Sequence, residues 1–453
     1  MRPTLTIGSR AISGGAQSTV AAHADLDVTW GTSSVYDEPE PSKLSMSVLW
    51  RDNIDPNLIR QGTPVMLRAN ADGAARTVFA GRIQSLRARA HGRGRLTVNF
   101  TAVDSLQELR AHYVQTRWPR DPEGTTDNFN RLLAQIGGAG WRVYGRDTLP
   151  PQPWPNAETV YDSITVYTLL RRYLAQFGPQ VTFWDVSRVD PDGTYRPGLR
   201  VGYAAAVQEG DSLHANPGGR LSVGRVTPAG LSQVHAPAEH VLRDVEWQSD
   251  ADSLRTTCQI GYQVTRTETN EGTGEQRRVT SLSEVSTSLG AAVDEHGSRS
   301  LEFVTSASAP PAELRRMGRA WLQYVGHEWS PGALTVEDLG NLDPAAQAAC
   351  LDVDLRRRAW WIVPGVGVPT PLGGLSSIRG VALGGELSYT GERGGRWSSS
   401  MTLKDQQIIT PRDFTFEDLS SHHAPAISDA PASSAGDVRF ADFLTISRLE
   451  ATA

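Results

Sequence analysis

Lysine is almost missing from this chain. Of 44 basic residues only Lys43 and Lys404 are lysine, which leaves 42 arginines. Arginine has GC-rich codons and lysine AT-rich ones, so the bias marks a GC-rich genome. Arginine also pairs carboxylates bidentately, as subunit interfaces require, but the codon bias suffices by itself. Cysteine is equally scarce: Cys258 and Cys350 are the whole supply. That count excludes a disulfide framework, and a zinc site would need histidine help. Two thiols buried in strands are the expectation. No apolar run approaches the ~20 residues that cross a bilayer. Met1-Arg2-Pro3-Thr4-Leu5-Thr6 has a charge but no apolar stretch behind it, so no signal peptide is expected and the chain should be made in a cytoplasm. A basic excess is lacking too. The net charge is −6, against the habit of dedicated nucleic-acid binders.

Catalytic signatures are also absent. No Gly-x-Ser-x-Gly elbow occurs, and neither lysine follows a phosphate-binding glycine loop. His327-Glu328-Trp329-Ser330-Pro331 starts like a zinc-protease helix, yet proline stands where the second histidine belongs, so it reads as a helix-end polar pair. His422-His423 has no acidic or cysteine partner nearby and reads as a solvated pair. Neither cysteine lies in an electropositive glycine-rich loop that would lower its pKa. Asp352 and Asp354 flank Val353 in an alternating run, which puts both carboxylates on one face of a strand. Such a pair could serve glycosidase chemistry, although solvated same-face carboxylates are the commoner case. No cofactor is expected.

What is present is strand pattern. The 453 residues, 39% hydrophobic and 21% charged, are enough for about three domains, each with a core. Leu44 to Trp50 alternates with the period of a half-buried strand. Gly62-Thr63-Pro64 turns the chain into Val65–Ala69, and Asn70-Ala71-Asp72-Gly73 turns it again into Thr77–Ile83. A hairpin follows, Leu86–Ala90 and Leu96–Val103, joined through His91-Gly92-Arg93-Gly94. Short strands with glycine turns at this spacing suggest a small barrel or sandwich. Asp104 stands where a helix N-cap would be, ahead of Ser105-Leu106-Gln107-Glu108-Leu109.

From about 110 to 240 the pattern is mixed. Phe129, Leu132, Leu133 and Ile136 have helical spacing, stopped by Gly137-Gly138. A second helix is predicted over Ile164–Phe177, and a hairpin over Val181–Trp184 and Leu199–Tyr203 across Asp190-Pro191-Asp192-Gly193. Strands dominate again from about 241 to 410: Val241–Trp247, Thr256–Val264, Ser300–Val304, the alternating Leu351–Arg356, and a hairpin of Leu387–Thr390 with Ser399–Leu403 through Gly394-Gly395. One helix, Pro311 to Val325, is inserted among them, with Leu314, Met317, Trp321, Leu322 and Val325 as its apolar stripe. Residues 411–453 read as a tail rich in Ser, Ala and Pro. Twelve tryptophans are many. Trp360-Trp361 would put one ring on each face of a strand, for an interface or for the core.

Some of these segments, in this order, resemble the hub proteins of phage baseplates. They are Gly62-Thr63-Pro64-Val65, Val78–Ile83, Val98–Leu106, Leu242–Trp247, the helix near 311–325, and Leu351–Leu355. The likeness spans roughly residues 25 to 410. It implies a mixed β-rich α+β fold: a first barrel-like domain over 1–108, an α/β domain over 109–240, a second barrel-like domain with an inserted helix over 241–410, and a C-terminal extension over 411–453. It further implies a homotrimer at the virion tail tip whose six barrels match a six-fold tail tube to a three-fold tip, on the genome-ejection path. The implied partners are distal tail and tail-tube proteins, tip or spike proteins and the tape measure. DNA would meet the chain only in transit, and no membrane insertion is expected. Such a hub is not an enzyme. Some hub proteins continue into a lytic or sugar-binding domain, which is not expected here. The competing classes are a tail-associated wall hydrolase using the acidic pairs and a carbohydrate-binding module using exposed tryptophans.

Two groups are candidate partner contacts. Arg87, Arg89, His91, Arg93 and Arg95 alternate with small residues across the first hairpin: a basic strip facing DNA or acidic neighbours, or a solvated hairpin face. In the tail, Phe414 and Phe416 precede a spacer from Ser420 to Gly436. Phe440, Phe443 and Leu444 then have the spacing of a short helix that docks in a groove.

Overall fold

The computed structural model describes residues 2–13, 20–21, 25–32, 39–50, 59–91, 95–118, 140–145, 159–177, 181–203, 211–216, 220–227, 230–233, 244–249, 254–269, 272, 274, 276–290, 293–294, 297–325, 329–342, 344–358, 360–364, 377–391 and 395–405. Among these residues the fold is β-rich, with one large sheet and few helices.

The first region supplies β1 (Pro3–Ile7), β2 (Arg10–Ser13), β3 (Val20–Ala21), β4 (Asp25–Gly31), β5 (Glu40–Trp50), β6 (Pro64–Ala71), β7 (Ala74–His91), β8 (Arg95–Val103) and helix α1 (Leu106–Ala111). The alternation read in Leu44–Trp50 is real: Leu44, Met46 and Val48 are buried, and Lys43 and Ser45 are exposed. The 62–64 turn holds, with Thr63 N–H donating to Arg60 O at 3.1 Å. Asp72 (φ 53°) and Gly73 (φ 67°) are the two central residues between β6 and β7. Both are left-handed, as the twist of a two-residue hairpin demands, and Asp-Gly tolerates that best. The segments read as two strands, Thr77–Ile83 and Leu86–Ala90, are one strand of 18 residues. A bulge between Ile83 and Ser85 bends it, and a bulge does not announce itself in the pattern.

The next stretch gives β9 (Tyr113–Trp118), β10 (Arg142–Tyr144), β11 (Thr159–Thr165), helix α2 (Val166–Leu174), β12 (Val181–Asp185), β13 (Arg188–Val189), β14 (Tyr195–Arg196) and β15 (Gly198–Tyr203). Thr165 caps α2 by accepting the Thr168 N–H at 3.1 Å. Leu169, Leu170, Tyr173 and Leu174 are buried on it, as the spacing predicted. β12 and β15 pair antiparallel. The Asp190–Gly193 turn closes the smaller β13–β14 hairpin between them, where Gly193 N–H donates to Asp190 O at 2.9 Å. That hairpin buries Val189 and Tyr195 against Met66 and Ala80, so it roofs part of β6 and β7.

Then come β16 (Asp211–Asn216), β17 (Arg220–Thr227), β18 (Gly230–Gln233), β19 (Asp244–Ser249), β20 (Thr257–Thr269), β21 (Gln276–Ser288), β22 (Ser300–Val304), helix α3 (Pro311–Val325), β23 (Trp329–Val336), helices α4 (Pro344–Leu351) and α5 (Leu355–Arg358), β24 (Trp360–Pro364), β25 (Ser377–Thr390) and β26 (Arg396–Asp405). Helix α3 and β22 have the predicted bounds. α3 packs Leu314 and Leu322 onto Cys258, Ile260 and Val285 of the separate β21-β20-β22 sheet. Both cysteines are buried, but Cys350 lies in α4 and not in a strand.

Leu351–Arg356 is not a strand either. Leu351 ends α4, and Asp352 Oδ1 accepts the N–H groups of Asp354 (2.9 Å) and Leu355 (3.1 Å), starting α5. The run Pro344-Ala-Ala-Gln-Ala-Ala-Cys350 favours helix on propensity, and an aspartate just past it restarts one. Strand-like alternation was here the spacing of a helix–turn–helix.

The large sheet runs β18-β17-β16-β24-β25-β4-β5-β8-β7-β6-β1-β2, with β26, β23 and β19 branching from β25; the described residues trace no closed barrel. Its seam is β4 against β25, which joins residues 25–31 to 384–390. Gly31 faces Gly384 there. A Cβ on Gly384 would sit 2.4 Å from the Thr32 backbone, and one on Gly31 would meet the Leu383 carbonyl. Gly384→Ala should therefore destabilise the chain by about 1–3 kcal/mol through overpacking. Urea denaturation checks this, and an unchanged midpoint would refute the account of the seam.

Candidate functional site

The solvent side of the sheet is built by register. Paired residues on neighbouring strands share a face. Asp25, Asp27 and Thr29 of β4 lie beside Thr390, Ser388 and Glu386 of β25. Ser45 lies opposite Asp27, Thr101 opposite Ser45, and Asn99 opposite Ser47. Ser85 then faces Thr101, and Arg87 faces Asn99. Asp25, Asp27, Ser45, Ser47, Arg87 and Asn99 line a shallow groove along this face. The opposite residues, Leu26, Val28, Met46, Val98 and Phe100, are core. One side of the sheet is thus oily and the other carries hydroxyls, an amide and charges of both signs.

Of the basic strip, Arg87 and Arg89 are exposed on the outer half of β7, where Leu86 is also 41% exposed. Arg95 opens β8 opposite His91. Arg93 lies outside the described residues, as do Phe414, Phe416, Phe440, Phe443 and Leu444, the 129–138 helix, His327-Glu328 and His422-His423. Arg87 shares its face with Asp25, Asp27 and Glu386, so charges of both signs lie there.

The acidic pair of the sequence is pulled apart. Asp352 caps α5. Asp354 accepts the Trp184 indole N–H at 3.0 Å, and its Oδ1 lies 2.7 Å from Arg200 Nε, a close ion pair without an aligned N–H. Both carboxylates have structural partners, and they do not share a strand face. Asp354→Asn should cost about 1–2 kcal/mol, since the half-buried charge partner of Arg200 is lost. A double-mutant cycle with Arg200→Gln should show coupling near 1 kcal/mol; strictly additive losses would refute the pairing.

A second acidic pair escaped the sequence reading. Asp104 and Asp185 are each 3% exposed. Asp104 stands one residue before the α1 N-cap, Ser105: its Oδ1 accepts the Leu106 N–H at 3.0 Å and Oδ2 the Ser42 N–H at 2.8 Å. Asp185 Oδ1 accepts from the Ser105 amide (3.3 Å), the Ser105 hydroxyl and the Ser187 hydroxyl (2.6 Å), and Oδ2 from the Ser187 amide (3.1 Å). Burial pushes the Asp185 carboxyl up to about 6 against those hydrogen bonds. Burial, and then the charge of Asp185, hold Asp104 well above the usual carboxylate range. Nearby, Arg356 is 1% exposed, with its guanidinium 4.8 Å from the Trp30 ring and its Nε and Nη1 without hydrogen-bond partners among the described residues. Burial pulls Arg356 down to about 9. Asp104 and Asp185 stand 81 positions apart, which hid this pair; only the helix start beside Asp104 was legible.

Among the described residues no group of three or more His, Cys, Asp and Glu side chains could hold a metal, and no helix is long and apolar enough to cross a membrane.

No family model and no curated protein matches the chain. Solved structures do. A tail protein from Neisseria meningitidis MC58 superposes with a TM-score of 0.50 at 12% identity, over 92% of this chain and 100% of that one. The chain has the fold of a tail protein. The 43 kDa tail protein of prophage MuSo2 from Shewanella oneidensis also aligns (TM-score 0.48, 13% identity, 89% of this chain and 98% of that one). So does an E. coli component of the type VI secretion system, described as structurally similar to bacteriophage T4 tail proteins (TM-score 0.42, 9% identity, 89% and 77%). The likeness to the Neisseria protein agrees with the family resemblance read in the sequence, and at such identity it concerns the fold.

Proposed function

We propose that this chain is the structural hub of a phage tail tip, joining a six-fold tail tube to a three-fold tip and lining part of the genome-ejection conduit. The observation that carries the reading is the fold likeness to a tail protein along that protein's whole length. It meets a sequence resemblance reached from separate evidence, the order of short motifs. In this reading the strand-rich regions 1–108 and 241–410, which share one sheet through β4 and β25, form the ring, and 109–240 stands between them in sequence. Three copies would present six strand-rich units to the tube, and closed symmetry needs complementary faces on each copy. Arg87, Arg89, Arg93 and Arg95, and in the tail Phe414, Phe416, Phe440, Phe443 and Leu444, are the proposed contacts with neighbouring tail proteins.

The hydrolase alternative loses its residues, because Asp352 and Asp354 are held by a helix cap and an ion pair. The sugar-binding alternative needs exposed indoles; among the described side chains Trp30, Trp141, Trp184 and Trp397 are buried and Trp321 is half-buried. Imaging of the intact particle tests the hub directly. Three copies of the 49.1 kDa chain about one axis at the tail tip are expected; six copies, one copy, or a position along the tube would overturn it. Pure protein incubated with bacterial wall material should release no fragments, and release would restore the hydrolase reading.

A further inference from the structure

Asp104 and Asp185 occupy the joint between two parts of the chain. Asp104 directly follows β8 of the large sheet and is tied to β5 through Ser42, whose carbonyl also accepts the Asp104 N–H at 3.1 Å. Asp185 ends β12, and Ser187 behind it accepts the Gly198 N–H at 2.9 Å, fixing β15. Ser105 bridges them, since it follows Asp104 directly and donates both its amide and its hydroxyl to Asp185. The Ser187 hydroxyl lies 3.0 Å from that of Ser105, which closes the cluster.

Every donor to these two carboxylates is neutral. The charged and titratable groups around them come from four elements. Glu108 on α1 and Tyr195 on β14 add negative character or none, and Tyr195 is itself held protonated by burial. On the α4–α5 segment, Arg356 and Arg357 attract the ionised carboxylates from a distance, and Asp352 sits among them as a cap; Tyr167 on α2 lies by Arg357. Two like charges buried around one serine cannot both be ionised cheaply, so burial and mutual repulsion favour a protonated carboxyl here.

We infer that Asp104 and Asp185 form a proton-responsive joint that fastens the β12–β15 unit to the large sheet more firmly in acid than in alkali. Folded Asp185 keeps its proton up to about pH 6, whereas an unfolded aspartate loses it near 3.8. The stabilisation from that proton is complete below the lower value and is lost as pH rises through the upper one. A difference of about two pH units corresponds to about a hundredfold change in the opening equilibrium of the joint. Asp104 is displaced in the same direction, by burial and then by the charge of Asp185. The device belongs to the chain itself and stands whatever assembles around it.

Hydrogen exchange of the whole chain from pH 4 to pH 8, corrected for the intrinsic rate, reads the joint at residues 104–111 and 181–201. Opening there should rise about a hundredfold across that range, while β25 and β26 stay flat. Asp185→Asn, which cannot ionise, should lose most of the slope and hold the joint at pH 8 nearly as firmly as at pH 4. A flat wild-type profile overturns the inference, and so does a full slope in the variant, which would assign the proton elsewhere. Should Asp185→Asn not fold, infrared titration of the wild type with labelled aspartate decides. A carboxyl still protonated above pH 5 supports the joint, and complete ionisation by pH 5 overturns it.

Discussion

The backbone ladder between β4 and β25 is the contact on which the rest depends. It pairs Asp25 with Thr390 and Gly31 with Gly384, so strands from opposite ends of the described chain become neighbours in one sheet. Closing so large a loop costs little more than closing a moderate one, because the entropic penalty grows only with the logarithm of length. A middle segment of more than 300 residues can therefore sit between the two strands. What the seam does require is close approach. Two facing glycines provide it, and the Arg357 guanidinium donates to the Leu383 carbonyl beside them. Such non-local pairing forms slowly, and it cannot form until β25 has been synthesised.

This explains what could be read in the sequence and what could not. Local signals were legible. The Asp72-Gly73 turn, the Leu44–Trp50 alternation, the α3 helix and the β25–β26 hairpin each depend on neighbours a few residues away. Leu351–Arg356 failed because period-two alternation of Leu, Asp and Val also fits a helix end followed by an aspartate cap, and the alanine-rich stretch before it was the better guide. The bulge that fuses two predicted strands into β7 left no mark, since Gln84 and Ser85 look like any polar turn. Strand partners were least legible of all. Nothing in β20–β22 says that these strands form a sheet of their own with α3 while β19 and β23–β26 join the large one.

The candidate surface divides in the same way. Arg87 and Arg89 were visible as an alternating basic strip, and the structure places both in water. Their electrostatic setting was not visible, because Asp25 and Asp27 reach the same face through the β4–β5 and β5–β8 ladders and Glu386 through the seam. A polyanion laid over Arg87 would also meet those carboxylates, whereas a protein surface of mixed charge would find a partner for each sign. The hub reading with neighbouring protein subunits thus sits more easily on this face than a nucleic-acid track does.

Charges in water cost the fold little, and charges inside it cost much more. The outer sheet face holds its ions in the first state and serves as surface. Asp104, Asp185 and Arg356 are in the second state, and all three lie where the large sheet, the β12–β15 unit and the α4–α5 segment meet. An apolar joint would be tighter at every pH. Buried hydrogen-bonding groups instead accept only one alignment of the three parts, since any slip leaves a carboxylate or a serine unpaired. The joint therefore exchanges some stability for a defined geometry, and its proton is the one component that the surroundings can add or remove without changing the chain.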